Sequence, residues 1–339
     1  MEHQDKSILA SLIVPIFNEE RFIEECVRSL RKQDIPPERM ELLLVDGAST
    51  DGTMAILRRL EAEDPAHIRV LENPRRIQAA AMNIGAKNAR GKYLVRIDAH
   101  ASYPENYAST CIRLLEETGA ANAGCGWHTT SKSPRGKLIA KMLTSPFGVG
   151  GASFRVGGES GWVDTVPFGT FRRDYYEALG GFDERLARSE DNEINYRIRK
   201  NGGKIYMTNE IQVTYYCRET VKALAKMAYA NGKWNVIAAR LCPGSMSLKY
   251  FVPLAFVLSL IVMPPLCLLH PLFRWVFAAE LLAYLGLSLF FAGKKTRRPG
   301  ELLYVAFLFP AFHIPYGLGS ISGIWHALGT TGNRASRQP

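Results

Sequence analysis

The chain has 339 residues, 47% of them hydrophobic, so it can bury a substantial core and form about two domains. Lysine plus arginine outnumber aspartate plus glutamate 42 to 32, which gives a formal charge of +10. This balance favours an anionic partner such as a nucleotide, a nucleic acid or a membrane surface, and it does not choose between them.

The cysteines and the N-terminus exclude two further classes of protein. The six cysteines show no CxxC spacing, which argues against a zinc site or a disulfide framework and indicates the reduced thiols of an intracellular domain. The opening MEHQDKSILA lacks a basic stretch followed by an apolar one. We therefore expect no secretory signal peptide and a main domain in the cytosol.

The first two thirds of the chain alternate apolar runs with amphipathic segments. SILASLIVPIFNEE and MELLLVDGASTDG have the continuous apolar character of strands that are covered on both faces, and helical spacing follows in ERFIEECVRSLRKQD and TMAILRRLEAE. IRVLENP and KYLVRIDAH are two more predicted strands, with the helix QAAAMNIGAKNAR between them. The alternation predicts an α/β domain with a mostly parallel sheet over residues 1–218.

Three polar segments come directly after predicted strands, namely PIFNEE, DGASTDG and DAH. Ligands of such sheets bind beyond the C-terminal strand ends, so these segments predict a site at that edge. PIFNEE stands where a GxGxxG fingerprint would be, and no GxxxxGK[ST] motif occurs. A nucleotide would therefore be bound by side chains and strand-end backbone instead of a glycine cradle.

These segments, in this order, resemble the inverting family 2 glycosyltransferases, which have a GT-A fold. The resemblance rests on VPIFNEE, VDGASTDGT, RIDAH at 96–100, GGFDE at 180–184 and SEDNEINYRIRKNGGKI at 189–205. Within the family, RIDAHASYP, VDTVPFGTFRR and EDNEINYRIRKNG are most similar to glucosyltransferases of exopolysaccharide assembly. The resemblance implies transfer of a sugar from a UDP-sugar donor, with a divalent metal ion, Mn²⁺ or Mg²⁺.

The family's metal motif corresponds here to Asp98-Ala99-His100. In an extended segment residues i and i+2 point the same way, so Asp98 and His100 can face one ion. His100 replaces the usual second acid, and an imidazole ligand would shift the preference toward Mn²⁺; it could instead donate to a phosphate. The alternative is a strand-end aspartate that caps a turn, next to a surface histidine.

The resemblance also implies the donor-binding residues. Asp46 would contact the uracil or the ribose, although it can equally form an Asx-turn in DGASTDG. Pro15 and Glu19 lie in the loop that lines the base pocket. Arg76 could reach the diphosphate or be a solvated arginine. Asp98 would bind the UDP-sugar through the metal.

The acidic segment at 189–193 carries the predicted catalytic base. The family's base maps to Asp191, which would remove the acceptor's hydroxyl proton, with Glu190 and Glu193 orienting it or binding acceptor hydroxyls. The alternative is a run of acids favoured by the N-terminal dipole of a helix that begins near Ser189 or Glu190.

The last third of the chain has the pattern of a membrane region, residues 250–326. Residues 250–269 contain no charge, 275–292 contain only Glu280, and the cluster Lys294, Lys295, Arg297, Arg298 follows, as the positive-inside rule requires for a hairpin that returns to the cytosol. Residues 302–325 form a third apolar segment that spans or re-enters, and 327–339 form a tail. Three such segments exceed what a domain of this size can hide.

Residues 219–249 form a predicted interfacial helix and linker ahead of the first span. Lys222, Lys226 and Lys233 align on one side of ETVKALAKMAYANGKWNVIAAR, which suits anionic lipid, although a plain solvated helix is the competing interpretation. Processive family members carry QxxRW near this position, and this chain has YANGKW. We therefore expect transfer of a single sugar.

Together these features predict a multi-pass protein of the inner membrane with a cytosolic catalytic domain. The resemblance implies β-1,3 transfer from UDP-glucose to a polyprenyl-diphosphate-linked saccharide in exopolysaccharide biosynthesis. The expected partners are the donor, the acceptor, membrane lipid and other exopolysaccharide assembly proteins, and no nucleic acid. The alternatives are a polyprenyl-phosphate sugar synthase and an inert membrane scaffold that retains the fold.

Overall fold

The structure is a computed structural model that describes residues 7–151 and 153–332. Most of the predicted tail, residues 333–339, lies outside the described residues. Nine strands are found in the described part of the chain: β1 (Ala10–Ile16), β2 (Met40–Asp46), β3 (Ile68–Glu72), β4 (Tyr93–Arg96), β5 (Ala101–Ser102), β6 (Asn122–Thr130), β7 (Gly161–Trp162), β8 (Thr170–Arg172) and β9 (Ile205–Tyr216).

The α-helices of the same residues follow the predicted alternation. They are α1 (Ile23–Leu30), α2 (Thr53–Glu63), α3 (Gln78–Asn88), α4 (Tyr107–Thr118), α5 (Pro134–Leu143), α6 (Pro146–Val149), α7 (Ser153–Val156), α8 (Arg173–Ala178), α9 (Glu190–Lys200), α10 (Val221–Leu241), α11 (Val252–Leu269), α12 (Pro271–Gly293) and α13 (Pro299–Gly332). Short 3₁₀ turns occur at Pro37–Arg39 and Leu248–Phe251.

The sheet has the order β3-β2-β1-β4-β8-β6-β9-β5, and β7 pairs with β9. β3, β2, β1 and β4 are mutually parallel, whereas the pairs β4–β8, β6–β8, β5–β9 and β7–β9 are antiparallel. The predicted α/β class is confirmed, but the sheet is more mixed than expected. β5, β7 and β8 have two or three residues each, too few to show an alternation in the sequence.

The core of the parallel half explains why these segments pair. All seven residues of β2 are buried, as are six of the seven residues of β1, so both faces of these strands are covered by helices. α1 buries residues at i, i+3, i+4 and i+7, namely Ile23, Cys26, Val27 and Leu30. In α3 a Cβ at Gly85 would overlap the side chain of Ile13, so this glycine lets α3 lie close on β1.

The chain divides into two compact units. The first comprises Met1–His128 and Gly157–Tyr215, and the second comprises Thr129–Val156 and Tyr216–Pro339. Helices α5, α6 and α7 therefore group with the C-terminal helices, although the predicted domain boundary at residue 218 would have placed them with the sheet.

Three helices of the described chain are long and apolar enough to cross a membrane: Leu248–Leu269, Pro271–Gly293 and Pro299–Leu328. The first continues through Pro264 and Pro265, and α13 continues through Pro310 and Pro315. The turn between α11 and α12 consists of His270 alone, because α11 ends at Leu269 and α12 begins at Pro271. Glu280, the charge within the second span, accepts a hydrogen bond from the hydroxyl of Ser259 on α11.

The segment predicted as an interfacial helix forms α10, which packs closely along α13. Its place at a membrane surface stays a prediction. A Cβ at Gly232 would overlap the carbonyl oxygen of Tyr316, and one at Gly319 would overlap the carbonyl oxygen of Tyr229. Asn235 also donates to the hydroxyl of Tyr316. Small residues thus allow the two backbones to approach closely, as at interfaces between membrane helices.

Candidate active site

The C-terminal edge of the parallel strands brings together the three predicted segments. Ile16 of β1 and Asp46 of β2 are paired partners, and Asp46 is in turn level with Glu72 of β3. On the other side of β1, the backbone N–H of Ile97 donates to the carbonyl of Ile13 at 2.9 Å, one residue before Asp98. PIFNEE, DGASTDG and DAH therefore all start from the same edge.

The loops after β1 and β2 are joined by hydrogen bonds. The N–H of Asn18 donates to the hydroxyl of Ser49 at 2.9 Å, and the side-chain oxygen of Asn18 accepts from the N–H of Thr50 at 2.8 Å. The N–H of Glu19 donates to the hydroxyl of Thr53 at 2.9 Å. These contacts hold half-buried Pro15 and Glu19 beside the end of β2, where a nucleotide base was predicted to bind.

Strained backbone is concentrated in the same segments. Five non-glycine residues of the described chain have a positive φ, and four of them lie in the predicted site motifs: Asn18 at 56°, Ala48 at 59°, Arg76 at 59° and Ser189 at 66°. Such conformations cost about 1–3 kcal/mol each and are typical of ligand-binding sites.

Asp46 is buried and forms the turn that the sequence allowed as an alternative. Its two carboxylate oxygens accept from the hydroxyl of Ser49 at 2.6 Å and from the N–H of Ser49 at 3.0 Å. Each carboxylate oxygen has a second lone pair, so the turn does not prevent Asp46 from accepting a further bond from a ligand. Its role in donor binding stays a prediction.

Arg76 lies at the same edge, with an exposed side chain. Its backbone approaches the loop after β2, because a Cβ on Gly47 would lie 3.5 Å from the Cα of Arg76. The preceding Arg75 is instead bound to Glu184 of the GGFDE segment. Both interpretations of Arg76, a diphosphate ligand and a solvated arginine, remain compatible with this position.

Asp98, His100 and Glu19 form one cluster of charged side chains. Nδ1 of His100 lies 2.7 Å from Oδ1 of Asp98 and 3.2 Å from Oε1 of Glu19, and all three side chains are less than a fifth exposed. The backbone N–H of Asp98 donates to the hydroxyl of Tyr103 at 2.7 Å, which fixes the strand end. The spacing of two residues does bring Asp98 and His100 together, as predicted.

Burial and charge act in opposite directions on this cluster. Burial by itself raises the pKa of Asp98, but the charge and the side-chain and backbone hydrogen bonds of His100, together with the charge of Arg96, outweigh burial and hold the pKa below its ordinary value. Burial lowers the pKa of His100, yet the carboxylate of Asp98 raises it well above the usual value. The two side chains therefore form an ion pair.

The donor set at this position suits a divalent ion bound jointly with a diphosphate. The carboxylate of Asp98 and the imidazole of His100 are oxygen and nitrogen ligands acceptable to Mn²⁺, and the carboxylate alone suits Mg²⁺. Among residues 7–151 and 153–332, no three His, Cys, Asp or Glu side chains are arranged to hold a metal by themselves. Phosphate oxygens of a donor would thus complete the coordination.

Asp191 lies in the first turn of α9 and is bound to a residue of β4. One terminal nitrogen of Arg96 contacts Oδ1 of Asp191, and the other donates to Oε1 of Glu190 at 3.0 Å. Arg96 is two residues before Asp98, so this ion pair ties the first turn of α9 to the strand that leads into the predicted metal site. The acids also occupy the positions that the helix dipole favours, so the dipole interpretation of the motif holds as well.

Glu193 is engaged differently from its two neighbours. It is 2% exposed, and its carboxylate is bound by Arg197, with one contact at 2.8 Å. Arg197 in turn donates to the carbonyl oxygens of Leu179 at 2.7 Å and Gly181 at 2.6 Å. These contacts favour a role in holding the GGFDE segment over direct contact with an acceptor.

The GGFDE segment is also fixed from α3. The side-chain oxygen of Asn83 accepts from the N–H of Phe182 at 2.9 Å and from the hydroxyl of Tyr176 at 2.7 Å. Its amide donates to the carbonyl of Phe182 and to Glu184, both at 2.9 Å. This segment therefore connects α3, α8 and α9 around the predicted base.

Arg96 and Asn83 are the site residues that the sequence reasoning missed. The signal for Arg96 was a charge within the apolar run YLVRI, where a buried arginine requires anionic partners. For Asn83 the sequence gives no such signal, because polar residues are common on the crossover helix of a βαβ unit.

The model of Glycosyl transferase family 2 matches residues 11–180, half of the chain. The succinoglycan biosynthesis protein ExoA of Rhizobium meliloti (strain 1021) is 35% identical over 252 residues, which are 72% of this chain and 74% of ExoA. The chain belongs to glycosyl transferase family 2. The predicted similarity to proteins of exopolysaccharide assembly is also confirmed.

Two other relatives of the family differ in their named reactions. A Methanococcus voltae protein named dolichyl N-acetyl-alpha-D-glucosaminyl phosphate 3-beta-D-2,3-diacetamido-2,3-dideoxy-beta-D-glucuronosyltransferase is 30% identical over 74% of this chain and 79% of its own. The dodecaprenyl-phosphate galacturonate synthase of Rhizobium johnstonii is 37% identical over 95 residues, 27% of this chain and 28% of its own.

A solved structure confirms the GT-A glycosyltransferase fold. The mannosyltransferase PcManGT of Pyrobaculum calidifontis, in complex with GDP-Man and Mn²⁺, superposes with a TM-score of 0.63 at 20% identity. The match covers 94% of this chain and 87% of that protein, so it includes the C-terminal helices.

Proposed function

We propose that this glycosyltransferase is a membrane-anchored, non-processive, inverting hexosyltransferase. It transfers glucose from UDP-glucose, with a β-1,3 linkage, to a polyprenyl-diphosphate-linked saccharide during exopolysaccharide biosynthesis. Its catalytic domain faces the cytosol, at the inner membrane of the cell.

The observation that carries this proposal is the ion pair between Arg96 and Asp191. Arg96 and Asp98 are separated by one residue of extended chain, so their Cα atoms are at most about 7 Å apart. Through one arginine, the proposed base is therefore tied to the strand end that carries Asp98, the residue proposed to face the diphosphate. In-line displacement at a sugar carbon requires a base on one side of the reacting carbon and a group that binds the leaving diphosphate on the other.

In the proposed reaction Asp191 acts as the general base. The acceptor hydroxyl gives its proton to Asp191 while its oxygen bonds to the anomeric carbon, and the bond from that carbon to the diphosphate oxygen breaks. UDP leaves with the bonding electron pair, and the configuration at the carbon inverts. Glu190, beside Asp191, is positioned to orient the base or to accept from an acceptor hydroxyl.

The donor is held by the strand-end residues. Asp46, Pro15 and Glu19 contact the nucleoside, and Arg76 faces the diphosphate. A divalent ion held by Asp98 and His100 would neutralise the charge that develops on the leaving diphosphate. The mannosyltransferase with a similar fold was solved with a nucleotide sugar and Mn²⁺, which supports this expectation.

The acceptor is inferred from the relatives and from the helices. ExoA takes part in succinoglycan biosynthesis, and the Methanococcus relative is named for 3-β transfer to a dolichyl-linked sugar. A lipid-linked acceptor suits a chain with three apolar helices long enough to span a membrane. Lipid and other exopolysaccharide assembly proteins are the expected partners, and nucleic acid is not.

A second candidate function is that of a polyprenyl-phosphate sugar synthase, whose acceptor is the lipid phosphate itself. The similarity to a dodecaprenyl-phosphate galacturonate synthase favours it, although that match covers 27% of this chain. An inert scaffold is the weaker alternative, because a decayed site has no reason to keep Asp46, Asp98 and Asp191 together with the buried counter-charge Arg96.

The test is a donor screen with the full-length protein in lipid vesicles, measuring UDP release. Each donor is offered with polyprenyl phosphate and, separately, with a polyprenyl-diphosphate-linked saccharide. Release with UDP-glucose that depends on the linked saccharide supports the proposal, whereas release that depends on polyprenyl phosphate assigns the synthase. Asp191→Asn serves as the inactive control. If no pair of donor and acceptor gives UDP release, the inert scaffold is the remaining interpretation.

A further inference from the structure

Arg96 is a buried cation at the end of an otherwise apolar strand. Its side chain is 3% exposed, and its backbone is fixed on both sides, since it pairs with Ile13 of β1 and its N–H donates to the carbonyl of Gly169 at 3.2 Å. A buried guanidinium is unfavourable unless anionic groups surround it. The role of Arg96 can therefore be inferred from the anionic groups that it contacts.

The two terminal nitrogens of Arg96 bind two different carboxylates of α9. One contacts Asp191, and the other donates to Glu190 at 3.0 Å. The side chain of Glu190 is 7% exposed and that of Asp191 is 27% exposed, so Glu190 is the internal partner and Asp191 the one that reaches solvent. A single planar group thus fixes the direction in which Asp191 points.

The ring of Phe182 holds the guanidinium from a third side. Its centroid lies 5.4 Å from Cζ of Arg96, a cation–π distance. Phe182 belongs to the GGFDE segment, which Asn83 binds through both backbone groups of Phe182. The orientation of Arg96 is therefore determined by the fold, and a shorter lysine could supply its charge but not its two directed bonds.

Arg96 offsets part of the negative charge of this cluster. Glu190 and Asp191 are adjacent acids that converge on one cation, so the three side chains carry one net negative charge with Arg96 and the two acids carry two without it. Without Arg96 the two carboxylates would repel each other, which favours uptake of a proton by the pair. A protonated Asp191 could not accept the proton of an acceptor hydroxyl.

We infer that Arg96 is a positioning residue for the transfer reaction: it keeps Asp191 ionised and oriented, with Glu190 as the internal anchor. Arg96 acts through Asp191 and needs no contact with either substrate. This inference rests on the proposed function, because it requires Asp191 to be the base.

The test compares four variants of the full-length protein with the wild type: Arg96→Met, Arg96→Lys, Glu190→Gln and the double variant Arg96→Met/Glu190→Gln. The rate kcat, the KM for UDP-glucose and the affinity for UDP are measured for each. Arg59→Met is the matched control, because Arg59 also binds two glutamates, Glu24 and Glu63, but on the surface.

We expect Arg96→Met to lower kcat about 100-fold or more, as loss of a general base does, while the donor KM and the UDP affinity stay within about threefold. Arg96→Lys keeps the charge and should retain at least about ten times the kcat of Arg96→Met. The double variant should also recover at least about tenfold over Arg96→Met, because Asp191 then has no neighbouring carboxylate to share a proton with.

The difference between the effects on kcat and on donor binding separates this role from a purely structural one. A structural defect would weaken the UDP affinity together with kcat, so an Arg96→Met enzyme in which both fall alike overturns the inference, as does a double variant no better than Arg96→Met. An Arg96→Met enzyme with kcat within threefold of the wild type also overturns it. If Arg96→Met does not fold, the kcat of the double variant is compared with the kcat of Glu190→Gln. A folded double variant with less than about 1% of the kcat of Glu190→Gln then overturns the inference.

The proposed function can fail separately. A wild-type protein that releases no UDP with any donor and acceptor overturns that function, and the inference about Arg96 with it. An active wild type in which Arg96→Met and Arg59→Met behave alike overturns the inference alone.

Discussion

Nδ1 of His100 lies 2.7 Å from Oδ1 of Asp98, and the two side chains form an ion pair in a largely buried position. The same nitrogen is 3.2 Å from a carboxylate oxygen of Glu19. A histidine that replaces the usual second acid of this motif therefore supplies a positive charge between two carboxylates. The ring can serve as a metal ligand only after it gives up the proton on the coordinating nitrogen.

The first prediction concerns the metal. EDTA should abolish transfer, and Mn²⁺ should restore it at least as well as Mg²⁺ because Mn²⁺ accepts nitrogen ligands more readily. His100→Asp should shift the preference toward Mg²⁺, measured as the ratio of the two restored rates. His67→Asp is the control, because His67 also pairs with an aspartate, Asp64 at 2.8 Å, but lies away from the site with a side chain 33% exposed. Full activity in EDTA would contradict the metal assignment.

The second prediction separates the base from the donor site. Asp191→Asn should lower the transfer rate about 10²–10⁴-fold, or roughly 3–5 kcal/mol of barrier, with donor affinity nearly unchanged. Asp98→Asn should weaken metal-dependent binding of UDP-glucose as well as turnover. Titration calorimetry and transfer rates on both variants measure this difference. If Asp191→Asn works at near the wild-type rate, Glu190 is the next candidate, since Glu193 is bound by Arg197.

The sequence predicted the strand-end chemistry because that part of the site is local. Asp46 and Asp98 each follow a run of buried strand residues, and parallel strands necessarily bring their C-terminal ends to one edge. The position of Asp191 at the start of α9 was equally readable, since the acids mark the first turn of a helix. Only the register of β1 with β2 and β4 was needed to bring these segments together.

The remainder depended on contacts between distant parts of the chain. The bond between Arg96 and Asp191 joins residues 95 positions apart, and no local pattern specifies it. Strands of two or three residues, such as β5 and β8, form because the chain is placed beside an existing strand, so propensity does not reveal them. The grouping of α5 and α6 with the C-terminal helices has the same origin: Phe147 of α6 packs on Phe309 and His313 of α13.

The third prediction concerns stability at the other end of the sheet. Glu41 is fully buried and accepts from the hydroxyl of Ser11 at 2.7 Å and from both the N–H and the guanidinium of Arg90 at 2.6 and 2.8 Å. Burial by itself raises the pKa of Glu41, but these donors outweigh burial and hold the pKa below its ordinary value. Glu41→Gln should cost roughly 2–4 kcal/mol at neutral pH.

The lowered pKa of Glu41 sets the pH dependence of this effect. A carboxyl group whose pKa is lower in the folded state stabilises the protein above its unfolded pKa and loses that contribution as the pH falls through the folded value. The difference in melting temperature between the wild type and Glu41→Gln should therefore be constant from pH 6 to 8 and shrink below about pH 4.5. The surface variant Glu24→Gln should stay within about 0.5 kcal/mol throughout. A gap that widens in acid would contradict the assignment.

The fourth prediction concerns the contact between α10 and α13. Gly319→Leu should prevent the close approach of the two helices, because even a Cβ at this position overlaps the backbone of Tyr229. We expect a loss of at least about 1–3 kcal/mol, measured as the melting temperature in detergent. Gly286→Leu on α12 is the matched control, since its Cβ would have no atom within 4 Å. Equal stability of the two variants would show that α10 and α13 do not pack in this way.

The last prediction concerns topology. The cluster Lys294, Lys295, Arg297, Arg298 follows α12, and the positive-inside rule places it in the cytosol with the catalytic unit. The turn at His270 between α11 and α12 should then face the opposite side, because each of these helices is long enough to cross the membrane once. The test introduces single cysteines at three exposed positions, one for each location: Glu38, His270 and Arg297.

The half-buried Cys242 and Cys267 are replaced by serine to lower the background labelling. A membrane-impermeant maleimide applied to intact cells should label His270→Cys and should label Glu38→Cys and Arg297→Cys only after permeabilisation. Labelling of Glu38→Cys or Arg297→Cys in intact cells would overturn the cytosolic assignment, and protection of His270→Cys from outside would overturn the hairpin.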